Sequence, residues 1–388
     1  MKYKVISLFS GCGGSSLGYK MAGMDVLVSN EFVPAAIDTY KANHPGTIVL
    51  EDDIRTLTAD KILETAGLKV GELDVLDASP PCQAFSMMGK REEKWGKSTA
   101  YSDTKQRTDD LFFEFARILK GVQPKTFVAE NVSGLVMGKA KEVFDEVYRT
   151  LEDCGYKVSA RILNAKYFGV AQNRPRLIFV GVRKDLNVEA SHPMPQTAPT
   201  PIKDVLHGLT LTDEDLAEAM YPAHYSVIPL MNQMKPGEKG SDYHPNGSYF
   251  GLARLDFDKP ANTILQSDAK HISCSALHPT ENRKLTIKEL KRVASFPDDF
   301  ILTGKFAQQW ERIGRAVPPL MMKAIASHIR YKILDKVNNI ENDYSPTKFN
   351  FVVPEGQEQF DVCEGNDFRE YTPAPIDKMK EYKQDSLL

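Results

Sequence analysis

The segment KVISLFSGCGGSSLGYK, residues 4–20, decides the fold. A strand pattern from Lys4 to Leu8 runs into Phe9-Ser10-Gly11-Cys12-Gly13-Gly14, and a helical pattern opens at about Ser15. Such a turn leaves bare backbone N–H groups and a helix N-terminus facing whatever lies at the strand's carboxyl end, as in nucleotide-binding α/β folds. The turn departs from G-x-G-x-x-G, and alone it is equally a plain tight turn. The strands that follow add weight. DVLVSN (25–30) leads into Glu31-Phe32, so a carboxylate stands about 20 residues past the turn, where it can accept hydrogen bonds from a ribose. Asp52-Asp53-Ile54 supplies another at the third strand's end, with Asp53 the better functional candidate and Asp52 a solvated acid. ELDVLDA (72–78) and KTFVAEN (125–131) continue the alternation of strand and helix, which predicts right-handed crossovers and a largely parallel sheet in an α/β fold.

Around this core the chain has 388 residues, 42% apolar and 26% charged, with a net charge of −3. That composition predicts a soluble globular protein of one large or two modest domains and excludes collagen-like, disordered and disulfide-scaffold classes. No apolar run approaches the ~18 to 20 residues of a membrane span, and Met1 leads at once into a strand, predicting no leader, no membrane association and a cytoplasmic location. Five scattered cysteines (Cys12, Cys82, Cys154, Cys274, Cys363) lack metal-ligand spacing, as do the histidines. They predict a reducing compartment, no metal site, and at least one thiol with its own purpose. The charge is uneven: +3 over residues 1–184, −7 over 185–282, +7 over 283–340 and −6 over 341–388. A nucleic-acid partner would therefore be held by local basic strips rather than by whole-molecule attraction.

The same boundaries organise the chain. Residues 1–184 carry the strand–helix alternation, and 185–282, rich in proline and holding six of the eight histidines, read as a separate loop-rich domain. Regular pattern returns over 283–340: a helix over Thr286–Ser295, capped by Thr286 and Glu289 and stopped at Pro297, then one from about Pro318 to Val337. The acidic, proline-bearing 341–388 reads as an extended or partly disordered tail.

The sharpest chemical feature is Ser79-Pro80-Pro81-Cys82-Gln83-Ala84-Phe85-Ser86, directly after an apolar strand. Two prolines stiffen the backbone and set the Cys82 thiol at the sheet edge as a nucleophile, whereas an inert buried cysteine would have apolar neighbours. Glu130 ends the next strand in a position suited to a proton donor. In Gln172-Asn173-Arg174-Pro175-Arg176 two guanidiniums at alternate positions project to one face of an extended chain, suiting a phosphate or a polarised base oxygen, or else forming a surface salt-bridge strip. Gly89–Arg107 places six basic residues around Trp95 and Tyr101, either a solvated loop or a lid that closes on a DNA backbone.

With these motifs in order, residues 4–185 and 283–337 closely resemble the cytosine-5 DNA methyltransferases. F-S-G-C-G-G, N-E-F, D-D-I, P-P-C-Q-A-F-S, E-N-V and Q-N-R-P-R occur in the family's order, followed by Arg283-Lys284-Leu285-Thr286 through Phe296-Pro297-Asp298-Asp299-Phe300 and by Ile313-Gly314-Arg315-Ala316-Val317-Pro318-Pro319. Arg315 departs from the family's usual asparagine, which puts ordinary cofactor affinity in question. The resemblance implies the Rossmann-like S-adenosylmethionine-dependent methyltransferase fold, a mixed, mostly parallel sheet with a smaller loop-rich target-recognition domain. It implies S-adenosylmethionine as cofactor, with Phe9 near the adenine, Glu31 on the ribose, Asp53 near the adenine amine, and Gly11, Cys12, Gly13, Gly14, Phe32, Ile54, Pro81, Leu111 and Val317 forming the pocket. Cys82 would add to carbon 6 of a flipped-out cytosine, Glu130 would serve ring nitrogen 3 and the exocyclic amine, Arg174 the base oxygen, and Arg176 the loop around Cys82 and Glu130. Arg254, Lys235, Lys239, Lys259 and Lys270 would face the DNA groove from 185–282. The implied partner is double-stranded DNA near the nucleoid of a prokaryote, with a restriction endonuclease as functional counterpart but no stable complex, and one active site per chain predicts a monomer. A tRNA cytosine-5 methyltransferase of the same fold is the alternative, disfavoured because its C-F-T tripeptide is absent. A silent DNA-binding relative would need a broken Cys82 or Glu130, and a dinucleotide oxidoreductase has no hydride-handling residue to recommend it.

Overall fold

In the computed structural model, which describes residues 2–81, 99–101, 104–106, 110–136, 140–249, 251–345 and 370–371, the first strand β1 (Lys4–Leu8) pairs in parallel with β2 (Asp25–Asn30) on one side and β4 (Val75–Ala78) on the other. The sheet extends in parallel to β3 (Ile48–Leu50) beyond β2 and to β7 (Thr126–Val132) beyond β4. Helices α1 (Gly14–Met21), α2 (Pro34–Asn43), α3 (Ala59–Ala66) and α4 (Leu111–Val122) make the crossovers, since parallel neighbours cannot be joined by a hairpin. A small hairpin, β5 (Thr99–Tyr101) with β6 (Thr104–Gln106), lies outside this sheet. After α5 (Ala140–Asp153), β8 (Tyr156–Asn164) and β9 (Pro175–Arg183) form an antiparallel pair in which β9 docks against β7, and the two-residue β10 (Glu370–Tyr371) pairs outside β8. The order β10-β8-β9-β7-β4-β1-β2-β3 is thus mixed and mostly parallel around β1, as the sequence predicts.

Register brings the strand ends level. Leu8 pairs with both Asn30 and Ala78, Asn30 with Leu50, and Ala78 with Ala129. The next residue along four of these strands is Phe9, Glu31, Ser79 and Glu130, so a single row of the sheet delivers the glycine turn, two carboxylates and the approach to Cys82 to one edge. Antiparallel β9 enters at the same edge, with Arg176 opposite Val132.

One face of the sheet is buried by α3, α4 and α5 through residues such as Ile62, Phe115, Phe127 and Phe144. The other is covered by α1 and by α11 (Pro319–His328), whose helical course continues through a π-helical stretch, Ile329–Leu334, into α12 (Asp335–Val337). Between β9 and α11 the chain forms α6 (Ile202–Leu206), α7 (Asp213–Ala219), α8 (Ile228–Met231), α9 (Ile287–Val293) and α10 (Phe306–Arg315). A further core including Val227, Leu252, Leu277, Leu290 and Trp310 joins this region to itself and, at Cys12, to the glycine turn. The helix expected from Thr286 is α9: the Thr286 hydroxyl accepts from Glu289 N–H at 3.2 Å and the Glu289 carboxylate accepts from Thr286 N–H at 2.7 Å, the reciprocal cap its sequence spells out.

Candidate active site

The turn after β1 is left-handed at Phe9 (φ 53°), Gly11 (φ 54°) and Gly13 (φ 89°). Phe9 is the costly one, because a side chain rarely occupies that region. Backbone bonds hold it: Ser10 N–H donates to Asn30 O at 3.0 Å and Gly13 N–H to Ser10 O at 2.9 Å. Glu31 closes the turn by accepting from Gly11 N–H at 2.7 Å and from Phe32 and Val33 N–H at 2.8 Å each. A β-carbon at Gly14 would fall 2.5 Å from the carbonyl oxygen of Val317. Glycine there lets the turn lie directly against the α10–α11 connection.

The Asp53 carboxylate is gripped by Arg55 Nη1 at 3.1 Å, and the same guanidinium reaches Asp110, at the head of α4, at 2.7 Å. Ile54 and Leu111 are buried beside it, while Phe32 keeps 39% exposure. Cys12 is 1% exposed, its Sγ 3.6 Å from Arg312 O, and burial pushes its thiol up to about 11. That environment leaves Cys12 no nucleophilic role. Cys82 lies outside the described residues, as does most of Gly89–Arg107.

Across the cleft, Glu130 is 2.8 Å from Arg176 Nε, both side chains nearly buried. Arg176 thus stands beside Glu130, as the resemblance implies, while Arg174, sent by it to a base oxygen, is engaged within the protein. Arg174 is 2% exposed and donates to Ile264 O at 3.3 Å and Gly314 O at 3.0 Å. It therefore ties β9 to the 260s loop and to α10, and Arg176 is the guanidinium beside the carboxylate. Burial lowers the pKa of both, and the Glu130 charge opposes that fall at Arg176.

Phe9, Gly11, Cys12, Gly14, Glu31, Phe32, Asp53, Ile54, Pro81, Leu111, Glu130, Arg174, Arg176 and Val317 all line one cavity of about 300 Å³, a size typical of small-molecule sites. Gly13 lies behind it, against His44. Residues the sequence reading did not single out for the cleft also line it: Thr263–Ser267, Arg312 and Gly314, together with Arg315, known only as a departure from pattern. Beneath them Glu311, 2% exposed, is met by Lys270 and Arg315 at 2.8 Å and Arg312 at 3.2 Å. Asp77, inside β4, was also missed. It accepts from the hydroxyls of Ser7 (2.7 Å), Ser15 (2.8 Å) and Tyr19 (3.3 Å), and burial pushes its carboxyl up to about 6 against those bonds.

The expectation that Arg254 faces a DNA groove is corrected. Arg254 is 3% exposed and donates to the carbonyls of His278, Glu281 and Met231 and to the Asn282 side chain, while Lys270 is committed to Glu311. Arg254 is an internal tie of the loop-rich region, and Lys270, with about half its side chain exposed, links that region to α10. Among the described residues no group of three or more His, Cys, Asp or Glu could hold a metal ion, and no helix is long and apolar enough to cross a membrane.

Comparison with known proteins agrees with this arrangement. Residues 3–331 match the profile of the C-5 cytosine-specific DNA methylases. The chain is 35% identical over 345 residues to the Type II methyltransferase M1.HphI of Haemophilus parahaemolyticus, covering 85% of this chain and 87% of that one. It is 31% identical over 361 residues to M.NgoPII of Neisseria gonorrhoeae, covering 84% and 95%. Among solved structures, a prophage-encoded E. coli protein described as a DNA modification methyltransferase shares the fold with a TM-score of 0.66 at 23% identity, over 85% of this chain and 99% of that one. The Dnmt2 methyltransferase of S. pombe does so with a TM-score of 0.59 at 18% identity, over 88% and 100%. The chain belongs to the C-5 cytosine-specific DNA methylase family and is a DNA (cytosine-5-)-methyltransferase.

Proposed function

We propose that this enzyme transfers a methyl group from S-adenosylmethionine to carbon 5 of a cytosine flipped out of a short, specific sequence in double-stranded DNA, through a covalent adduct of Cys82 at carbon 6. The observation that carries this reading is the level row of strand ends, which brings the glycine turn, Glu31, the residues leading to Cys82, and the Glu130–Arg176 pair to one cleft.

The cleft's residues suit the cofactor. Nothing lies within 4 Å of where a β-carbon would stand on Gly11, so the turn offers bare backbone for close approach. Glu31 and Asp53 present carboxylate oxygens for ribose hydroxyls and an amine, and Phe9 and Ile54 offer apolar surface. When bound, S-adenosylmethionine supplies an electrophilic methyl group. The rest is the protein's work. Carbon 5 of cytosine is a weak nucleophile until a thiolate adds to carbon 6, the role of Cys82. Glu130 holds a proton at ring nitrogen 3 and accepts from the exocyclic amine, with Arg176 fixing its carboxylate. After transfer, loss of the carbon 5 proton and departure of Cys82 restore the aromatic ring. Stacking blocks both faces of a paired base, so the target must leave the duplex.

Residues 1–184 with 283–340 form the catalytic part in this reading, 185–282 the target-recognition domain and 341–388 an acidic tail. Relatives named as Type II methyltransferases support protection of host DNA from an endonuclease of the same site; the reading adds a monomer acting in the cytoplasm at the nucleoid. The test is methyl transfer from radiolabelled S-adenosylmethionine into unmethylated genomic DNA and bulk tRNA, followed by bisulfite sequencing. Label at one recurring DNA motif, abolished by Cys82→Ser with DNA binding retained, is the expected result. Label in tRNA alone, or turnover persisting in Cys82→Ser, overturns it.

A further inference from the structure

Behind the glycine turn, on the side away from the cleft, stands a histidine that the mechanism does not use. His44, at the end of α2, is 1% exposed. Its Nε2 lies 3.2 Å from the carbonyl oxygen of Gly13 and its Nδ1 lies 3.1 Å from Lys20 Nζ. Tyr40 packs on the ring at 4.5 Å between centroids, and a β-carbon at Gly13 would fall 2.3 Å from His44 Nε2. The imidazole and the turn are therefore built against each other.

The hydrogens of this cluster can be assigned from its partners. Thr47 Oγ1 donates to Val26 O at 2.9 Å and so accepts from Lys20 Nζ at 3.1 Å. The Lys20 ammonium has donors only, so Nδ1 of His44 is an acceptor and the ring proton sits on Nε2, donating to Gly13 O. Burial and the neighbouring Lys20 charge push His44 down to about 4, keeping the ring neutral. The Gly13 carbonyl receives a second donor, Leu17 N–H at 2.9 Å, the first bond of α1. Because the carbonyl and N–H of a trans peptide point in opposite directions, pinning Gly13 O behind the turn aims Gly14 N–H the other way, at the Cys12 sulfur, and Cys12 and Gly14 both line the cleft.

We propose that His44 is a positioning residue for cofactor binding: by donating from Nε2 to Gly13 O it fixes the Gly13–Gly14 peptide plane, and so preorganises the turn against which S-adenosylmethionine packs. This rests on the reading of the cleft as the cofactor site. A preformed turn spares the ligand the cost of ordering it.

The test is titration calorimetry of the full chain with S-adenosylhomocysteine, comparing wild type, His44→Phe and His44→Gln, with the KM for S-adenosylmethionine and kcat measured alongside. His44→Phe fills the space without a donor, and His44→Gln restores a donor near Nε2. We expect Phe to weaken binding by about threefold to tenfold, the worth of one neutral hydrogen bond, and to raise the KM for cofactor while kcat changes less than twofold, and Gln to recover most of the affinity. Equal affinity of Phe and wild type, or Gln no better than Phe, overturns the proposal. Nitrogen-15 NMR of the wild-type imidazole at pH 7 tests it without a variant: a proton on Nε2 alone supports it, and a proton on Nδ1 overturns it. Failure of the wild type itself to bind S-adenosylhomocysteine would break the cofactor reading instead, leaving the NMR result to judge the His44 geometry.

Discussion

The two walls of the cleft are made of different material. On the β1–β2 side the functional surface is backbone: a left-handed turn, and a Glu31 carboxylate held by three main-chain N–H groups. On the β7–β9–α10 side it is paired charge: Glu130 with Arg176, and Glu311 with Lys270, Arg312 and Arg315. A backbone wall is fixed by main-chain geometry, and its hydrogen bonds leave no buried charge exposed to the loss of a partner. A wall of buried pairs depends on each partner, because removing one leaves the other charged and desolvated. The largest effect should therefore come from the charged side. Arg176→Leu leaves Glu130 buried without its guanidinium, and methyl-transfer assays should show a loss of at least ~100-fold in kcat, the scale of a misplaced catalytic group. A loss below tenfold would mean that Glu130 is oriented by something else and that the contrast between the walls is overdrawn.

Asp77 sits on β4 between the two walls and belongs to neither, a buried carboxyl held by three hydroxyls and no cation. Its pKa stands at about 6 in the fold against an ordinary 3.8, so folding favours the protonated form. The stability it contributes is complete below its unfolded pKa and is lost as pH rises through about 6. The full cost is about 3 kcal/mol, roughly half of it appearing between pH 5 and pH 8. Asp77→Asn should raise the urea midpoint at pH 8 and flatten its fall between pH 5 and pH 8. An unchanged pH dependence would show that the hydroxyls already accommodate the carboxylate.

The same division of material governs what the sequence made legible. The backbone wall could be read because glycine, a strand before it and a carboxylate at a fixed interval are local signals; even the Thr286 cap of α9 is written within four residues. Glu130 was legible as the carboxylate that breaks an apolar strand, two residues short of the end of β7. The partners of the charged wall were not, since charge pairing reports a meeting in space. Nothing near Arg254 announces that its guanidinium will meet the carbonyl of Met231, 23 residues earlier, and alternate spacing put Arg174 and Arg176 on one face with no sign that tertiary carbonyls would claim the first. Thr263–Ser267 reach the cleft through Arg174, and through Trp310 Nε1 donating to Leu265 O at 3.0 Å. Asp77 looked like one polar residue in an apolar strand, and its burial follows only from α1 lying over it.

The smallest effect is expected at the position where the sequence departs most openly from the family. Arg315 suggested altered cofactor affinity while only its identity was known. In the fold its guanidinium lies 2.8 Å from Glu311, one turn earlier on α10, and that carboxylate keeps Lys270 and Arg312 when Arg315 is removed. Arg315→Asn thus subtracts one cation from a cluster that retains two, and it shortens a side chain on the cleft wall without stripping a buried acid of all its partners. Calorimetry with S-adenosylhomocysteine should show affinity unchanged within about threefold, the worth of a partly screened pair, or somewhat tighter where the shorter residue opens space. A loss beyond tenfold would give Arg315 a contact of its own with the ligand. The charged wall would then reach the cofactor as well as the base, and the boundary between the two materials would have to be redrawn through α10.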